Sequence, residues 1–98
     1  MNNVRPDAFF QQFRYWDLNL LVVFEALSCE QGNVSRAAKR IGLSQSAMSH
    51  ALNRLREMLA DPLFVKQGHR MHPTARAVAL APVIAGWLEN IRGQLNPP

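Results

Sequence analysis

Residues 33–56, NVSRAAKRIGLSQSAMSHALNRLR, decide the fold of this 98-residue chain. Asn33 is a plausible N-cap for a short helix that Gly42 ends. Ser44 is a plausible N-cap for another helix, which continues to about Ala60 because Asp61-Pro62 follows it. Two short-linked helices with a glycine between them predict a helix-turn-helix, in which the second helix is free to contact a partner.

The second of these helices has two different faces. At about 100° per residue its apolar side chains fall in one arc, which we assign to the core; they are Ala47, Met48, Ala51, Leu52, Leu55, Met58 and Leu59. The other arc begins with short or amide side chains and ends with charged ones. Serine and asparagine are mediocre helix formers, so helix stability does not explain this face.

A polar face of this kind suits the DNA major groove, which is about 12 Å wide and admits one helix. Short donors and acceptors can approach base edges there, while arginines farther along reach phosphates. We predict base contacts from Gln45, Ser46, Ser49, His50 and Asn53, and backbone contacts from Arg54 and Arg56. The alternative to DNA binding is that this is an ordinary helix face in contact with solvent.

The charge distribution supports a polyanionic partner. Residues 1–33 have a net charge of −2, residues 34–76 of +6 and residues 77–98 of zero. The basic residues are therefore concentrated around the polar helix, as expected of a surface that binds nucleic acid. Ser35 and Arg36 belong to the same predicted binding surface, because they begin the shorter helix. The N-terminus of a helix can hold a phosphate.

The flanking segments predict a winged domain. A first helix, capped by Asp17, is expected from Leu18 to Gln31 and is apolar nearly all round. Residues 63–74, LFVKQGHRMHPT, predict a hairpin with Gly68 at its turn; its basic side chains Lys66, His69, Arg70 and His72 would lie on the minor groove or on phosphates. Thr74 caps a long last helix to about Leu95. The predicted fold is mainly α, a winged helix-turn-helix with a two-stranded wing and a long C-terminal linker helix.

The sequence therefore predicts three segments: an N-terminal extension at 1–16, the winged domain at 17–73 and the linker helix at 74–98. The extension is too aromatic for a free tail. It could pack on the domain or on a partner, and the sequence does not distinguish the two. The linker helix has an apolar stripe that one small domain cannot bury completely; it comprises Leu80, Ile84, Trp87, Leu88, Ile91 and Leu95. We expect a homodimer through this stripe, on an inverted-repeat site.

Other functional classes are disfavoured. Ser49 and His50 are adjacent in sequence but diverge by about 100° on a helix, so they do not form a catalytic pair. The three histidines and Cys29 lack metal-ligand spacing, and we expect no metal, no cofactor and no membrane span. A single cysteine fits a reducing cytoplasm, and we expect Cys29 to be buried. A helical protein-interaction module without DNA binding is the main rival.

The chain resembles the DNA-binding domain of the LysR-type transcriptional regulators over about residues 17–95. The resemblance rests on Leu20 to Phe24, on NVSRAAKRIGLSQSAMSHALNRL and on DPLFVKQGHRMHPTARA; RLREMLADPLFVK is similar to the branch that contains the nodulation regulators. It implies a bacterial, nucleoid-associated regulator of promoters with a dimerising linker helix. It also implies DNA contacts from Ser35, Gln45, Ser46, Ser49, His50 and Lys66.

The resemblance further implies a C-terminal effector-binding domain, which 98 residues do not include. The chain is then either an excised domain, which we favour, or an unusually short protein. Any small-molecule effector would be bound by the missing domain, and the full-length protein could be a tetramer. The family often has proline at Ser46, glycine at Ala60 and Ala77, and arginine at Lys66. A lysine lacks the planar fork of arginine, which weakens the case for insertion into the minor groove.

Overall fold

The computed structural model describes residues 4–96, and within them five helices and one hairpin follow in order. They are α1 (Asp7–Tyr15), α2 (Leu20–Cys29), α3 (Val34–Ile41), α4 (Gln45–Leu59), β1 (Phe64–Gln67), β2 (Arg70–Pro73) and α5 (Ala75–Leu95). The predicted mainly α fold with a two-stranded wing and a long last helix is confirmed. Residues 1–3 of the predicted extension and 97–98 of the predicted linker helix lie outside the described residues.

Helices α2, α3 and α4 pack around one core, whose largest fully buried side chains include Phe24, Leu27, Met48 and Leu55. Phe64 joins this core from the wing, with its ring centroid 6.0 Å from that of Phe24. The core therefore holds the wing in place beside the three helices.

The apolar arc predicted for α4 is confirmed in its central part. Met48, Ala51, Leu52 and Leu55 are buried, whereas Met58 and Leu59 are half-buried. The prediction for Ala47 is wrong, because its side chain is exposed; it lies at the edge of the apolar arc, about 100° round the helix from the buried Met48.

Side-chain caps fix the start of three helices as predicted. Asn33 Oδ1 accepts the N–H of Arg36 at 2.9 Å, and Ser44 Oγ accepts the N–H of Ala47 at 3.1 Å. Thr74 Oγ1 accepts the N–H of Ala77 at 3.2 Å. Gly42, at φ +71°, ends α3 in the left-handed conformation that glycine adopts without strain. The orientation of α4 is thus set by a tight turn and a cap.

Helix α2 is shorter than predicted at both ends. It begins at Leu20, because Asp17 accepts the N–H of Asn19 at 3.0 Å and so caps a preceding turn instead of the helix. It ends at Cys29, because Gln31 and Gly32 turn the chain at φ +56° and +84°. A Cβ on Gly32 would lie 2.9 Å from Met71 Cβ, so this turn also requires glycine for its packing against the wing.

Cys29 is exposed, so the prediction that it is buried is wrong. It occupies the last position of α2, where the helix has left the core, and its Sγ lies 3.8 Å from Glu25 Oε2.

A hydrogen-bonded junction joins α4 to the wing and to α5. Asp61 Oδ2 accepts the N–H of Leu63 at 2.8 Å and the hydroxyl of Thr74 at 2.6 Å. Arg56 donates to the carbonyl oxygens of Pro62 and Phe64, both at 2.8 Å. These bonds span the loop after α4 and hold the strand pair at a fixed position relative to the helix.

Within the protomer, helix α5 buries only part of its apolar stripe. Ala77 and Ile84 are buried, and Leu80 and Leu88 are half-buried against the core. Towards the C-terminal end of the helix, Trp87 is 43%, Ile91 37% and Leu95 79% exposed. Phe13 and Trp16, at the end of α1, border an open apolar groove of about 260 Å³ that Trp87 also lines. The end of the extension therefore borders a groove on the domain near the exposed part of α5.

Candidate nucleic-acid interface

The polar face of α4 is exposed from Gln45 to Arg54. Gln45, Ser46, Ser49, His50 and Asn53 are all exposed, while Met48 and Leu52 face the core behind them. Since the core residues fix the rotation of the helix, this set of short polar side chains forms one continuous outward surface.

Ser35 and Gln45 connect the N-termini of α3 and α4. The hydroxyl of Ser35 donates to Gln45 Oε1 at 2.8 Å, although the two residues are ten positions apart. Both side chains are exposed. The structure thus brings together a residue predicted to contact the DNA backbone and one predicted to contact bases, a pairing that the sequence gives no sign of.

Ser46 lies beside this pair, with its hydroxyl 3.3 Å from that of the cap residue Ser44. A proline, which the resembled family often has here, would lack this hydroxyl. At Ser46 the chain therefore presents an additional donor and acceptor at the leading end of α4.

The arginines of α4 have different surroundings. Arg54 forms an ion pair with Asp17 at 3.2 Å, and its side chain remains 49% exposed. Arg56 is half-buried, and besides its two carbonyl bonds it donates to Asn53 Oδ1 at 3.1 Å. Arg54 is thus available to a phosphate but partly neutralised, whereas the guanidinium of Arg56 is already engaged by the fold.

The tip of the wing is basic and faces α3. Lys66, His69 and Arg70 are exposed around the turn at Gly68, which has φ +64°. His69 and Arg70 share an open hollow of about 360 Å³ with Arg36 and Asn33 at the start of α3. The backbone-contact residues predicted from α3 and from the wing therefore border one surface.

Glu30 also lines this hollow, and its charge is balanced locally. Arg40 donates to Glu30 Oε2 at 2.5 Å. This hydrogen bond and the negative charge of Glu30 raise the pKa of Arg40. The ion pair reduces the repulsion that a free carboxylate would exert on an anion in the hollow.

Two kinds of feature are absent from residues 4–96. None of the helices there is long and apolar enough to cross a membrane. No group of three or more His, Cys, Asp or Glu side chains in this part of the chain is placed to hold a metal ion.

Comparison with known proteins shows to which family the winged domain belongs. Residues 18–78 match the family described as bacterial regulatory helix-turn-helix protein, lysR family. The chain is 49% identical over 81 residues to nodulation protein D 1 of Rhizobium meliloti, covering 83% of this chain and 26% of that protein. It is 45% identical over 84 residues to the HTH-type transcriptional regulator LeuO of Escherichia coli, covering 86% and 26%. The chain thus spans about a quarter of the length of these relatives.

Solved structures agree with this match. A probable transcriptional regulator from Pseudomonas aeruginosa superposes with a TM-score of 0.80 at 48% identity, covering 87% of this chain and 28% of that one. The DNA-binding domain of BenM, solved with its benA site 1 DNA, has the same fold, with a TM-score of 0.73 at 21% identity over 82% of this chain and 89% of that one. This chain therefore belongs to the lysR family of bacterial regulatory helix-turn-helix proteins, and its fold is that of the family's DNA-binding domain.

Proposed function

We propose that the chain is the sequence-specific DNA-binding domain of a bacterial transcriptional regulator, with α4 in the major groove and the wing on the minor groove or the backbone. The observation on which this rests is the outward face of α4, where Gln45, Ser46, Ser49 and His50 are exposed side by side at its start. Short polar side chains there allow the helix to approach base edges closely. The names of the relatives support a regulatory role.

The basic residues around this face support contact with phosphates. Lys66, His69 and Arg70 on the wing are exposed, and His69 and Arg70 share a hollow with Arg36 of α3. Arg54 lies farther along α4 and is exposed. We assign backbone contacts to these residues and to the N–H groups at the N-terminus of α3, where Ser35 lies. Arg56 is better suited to bracing the wing, because its guanidinium already has three acceptors.

We further propose that two copies bind an inverted-repeat promoter site, and that any effector acts through a part of the protein beyond these residues. A two-fold dimer matches the symmetry of an inverted repeat. No metal or cofactor is assigned a role. The protein-interaction module remains the competing hypothesis, since the exposed part of α5 would suit a helical partner as well.

Selection of duplexes from a random library, followed by binding measurements across salt, tests the proposal. We expect enrichment of an inverted repeat and an affinity that falls steeply with salt, because phosphate contacts release counterions. Gln45→Ala should cost about 1–3 kcal/mol at one base position of each half-site, whereas Lys66→Ala should weaken all duplexes and reduce the salt slope by about one. No binding to any duplex would support the interaction module instead.

A further inference from the structure

The hydrogen bond between Ser35 and Gln45 has a bearing on how bases would be distinguished. It joins two exposed side chains on different helices, at 2.8 Å. In water such a bond adds little to stability, because both groups can bond to solvent instead. Its effect is greater at an interface from which water is excluded, since a buried polar group without a partner is costly there.

In the structure this bond uses one end of the Gln45 amide and leaves the other end free. Oε1 is turned towards the Ser35 hydroxyl, so the NH2 group is left as the outward donor. Oε1 has two lone pairs and can still accept one further hydrogen bond. An amide held in this orientation can donate to N7 of a purine, and its oxygen can still accept from the amino group of adenine.

From this geometry we propose that Ser35 is a positioning residue for Gln45, and that the Gln45 position prefers a purine that offers N7 in the major groove. The proposal rests on the proposed function. Glutamine has several rotatable bonds, and holding it in place beforehand reduces the entropy lost on binding. Ser35 is itself held, because Asn33 caps α3 two residues before it.

A double-mutant cycle in binding to the selected duplex tests the proposal, with each base of the half-site replaced in turn. Gln45→Ala identifies the position that this side chain distinguishes. Ser35→Ala should reduce discrimination at that same position by about three- to tenfold, the entropy of one side chain converted to affinity. Added to Gln45→Ala it should cause no further loss of discrimination there. Ser35→Thr, which keeps a hydroxyl, should restore discrimination.

A base analogue gives a second measurement. Replacing the purine by its 7-deaza form removes the N7 acceptor, which should weaken binding by the unmodified chain but not by the Gln45→Ala variant. Ser28→Ala is the matched control, because it removes a hydroxyl from α2, a helix to which no base contact is assigned, and should change neither measurement.

Several outcomes would overturn the positioning role. They are additive losses in the double variant, a Ser35→Ala effect that is equal at all positions, and a Gln45→Ala variant without any position-specific loss. Steep salt dependence in the same experiments would leave the proposed function intact. Absence of duplex binding by the unmodified chain would overturn both.

Discussion

At the residue scale, Arg54 shows how one neighbour limits a surface charge. Its guanidinium lies 3.2 Å from the carboxylate of Asp17, which precedes α2 and lies beside Arg54 on the protein surface. An exposed pair of this kind contributes about 0–1 kcal/mol to stability. It reduces the positive potential that a phosphate meets, however, so the pair affects binding more than folding.

Replacing Asp17 by Asn should therefore strengthen binding to specific and random duplexes alike. The variant removes the negative charge but keeps an acceptor for the N–H of Asn19, so the turn before α2 should be retained. Affinity measured at several salt concentrations checks this, and the gain should shrink as salt rises. Glu89→Gln is the matched control, with the same change of charge near the far end of α5. Equal gains in the two variants would indicate a general charge effect without a role for Arg54.

At the element scale, Arg56 braces the connection between α4 and the wing. It donates to Pro62 and Phe64 carbonyl oxygens beyond the end of the helix and to Asn53 within it. A lysine keeps the charge but cannot reproduce this planar fork of donors. The position of the wing thus depends on a guanidinium, and charge alone does not supply it.

Arg56→Lys should lower the free energy of unfolding by about 1–3 kcal/mol, because it leaves carbonyl oxygens without their partners. For a domain of this size each kcal/mol corresponds to a fall in Tm of about 4–8 °C. Thermal unfolding measures the change. Arg54→Lys is the control and should alter stability by less than about 0.5 kcal/mol, as is usual for surface substitutions. A similar loss in both variants would argue against the brace.

The junction of the wing with α5 should respond to acid. The hydroxyl of Thr74 and the N–H of Leu63 lower the pKa of Asp61 below its ordinary value of 3.8, and the charge of Arg76 adds to this. Because the folded pKa is the lower one, the stability from Asp61 is fully present above pH 3.8 and is lost as the pH falls below it. Asp61→Asn should flatten the pH dependence of the free energy of unfolding in this range. An unchanged slope in denaturant titrations between pH 5 and pH 3 (about the range over which carboxylates protonate) would contradict the role of this carboxylate.

The elements themselves were largely predictable because their signals are local. Asn33, Ser44 and Thr74 each bond to an N–H three residues farther along, so a short stretch of sequence is enough to identify the caps. The Ser35–Gln45 bond and the bracing role of Arg56 were not predictable. They depend on the angle between α3 and α4 and on where the wing returns to the core. Cys29 was mispredicted for the same reason, since its exposure depends on where α2 leaves the core.

At the scale of the whole molecule, apolar surface remains beside the DNA-binding domain. Trp87, Ile91 and Leu95 are exposed on α5, and Phe13 of α1 is 40% exposed at the edge of the apolar groove that reaches Trp87. Soluble monomers rarely leave large apolar patches uncovered. Ile84 and Leu88 face the protomer's own core, so a dimer would use Trp87 and the C-terminal end of the predicted stripe.

We expect the exposed part of α5 to pair with its copy, with α1 packed at the margin. Two linked domains would bind an inverted repeat far more tightly than one, because the second contact becomes effectively intramolecular. Trp87→Glu should give a folded monomer with weak, half-site binding, since a charge cannot be buried in an apolar interface without a partner. Val78→Glu, on α5 but outside the groove that Trp87 lines, should remain dimeric. Sedimentation velocity at micromolar concentration distinguishes these states. If the unmodified chain sediments as a monomer and still binds the full site tightly, the apolar surface must serve another part of the protein.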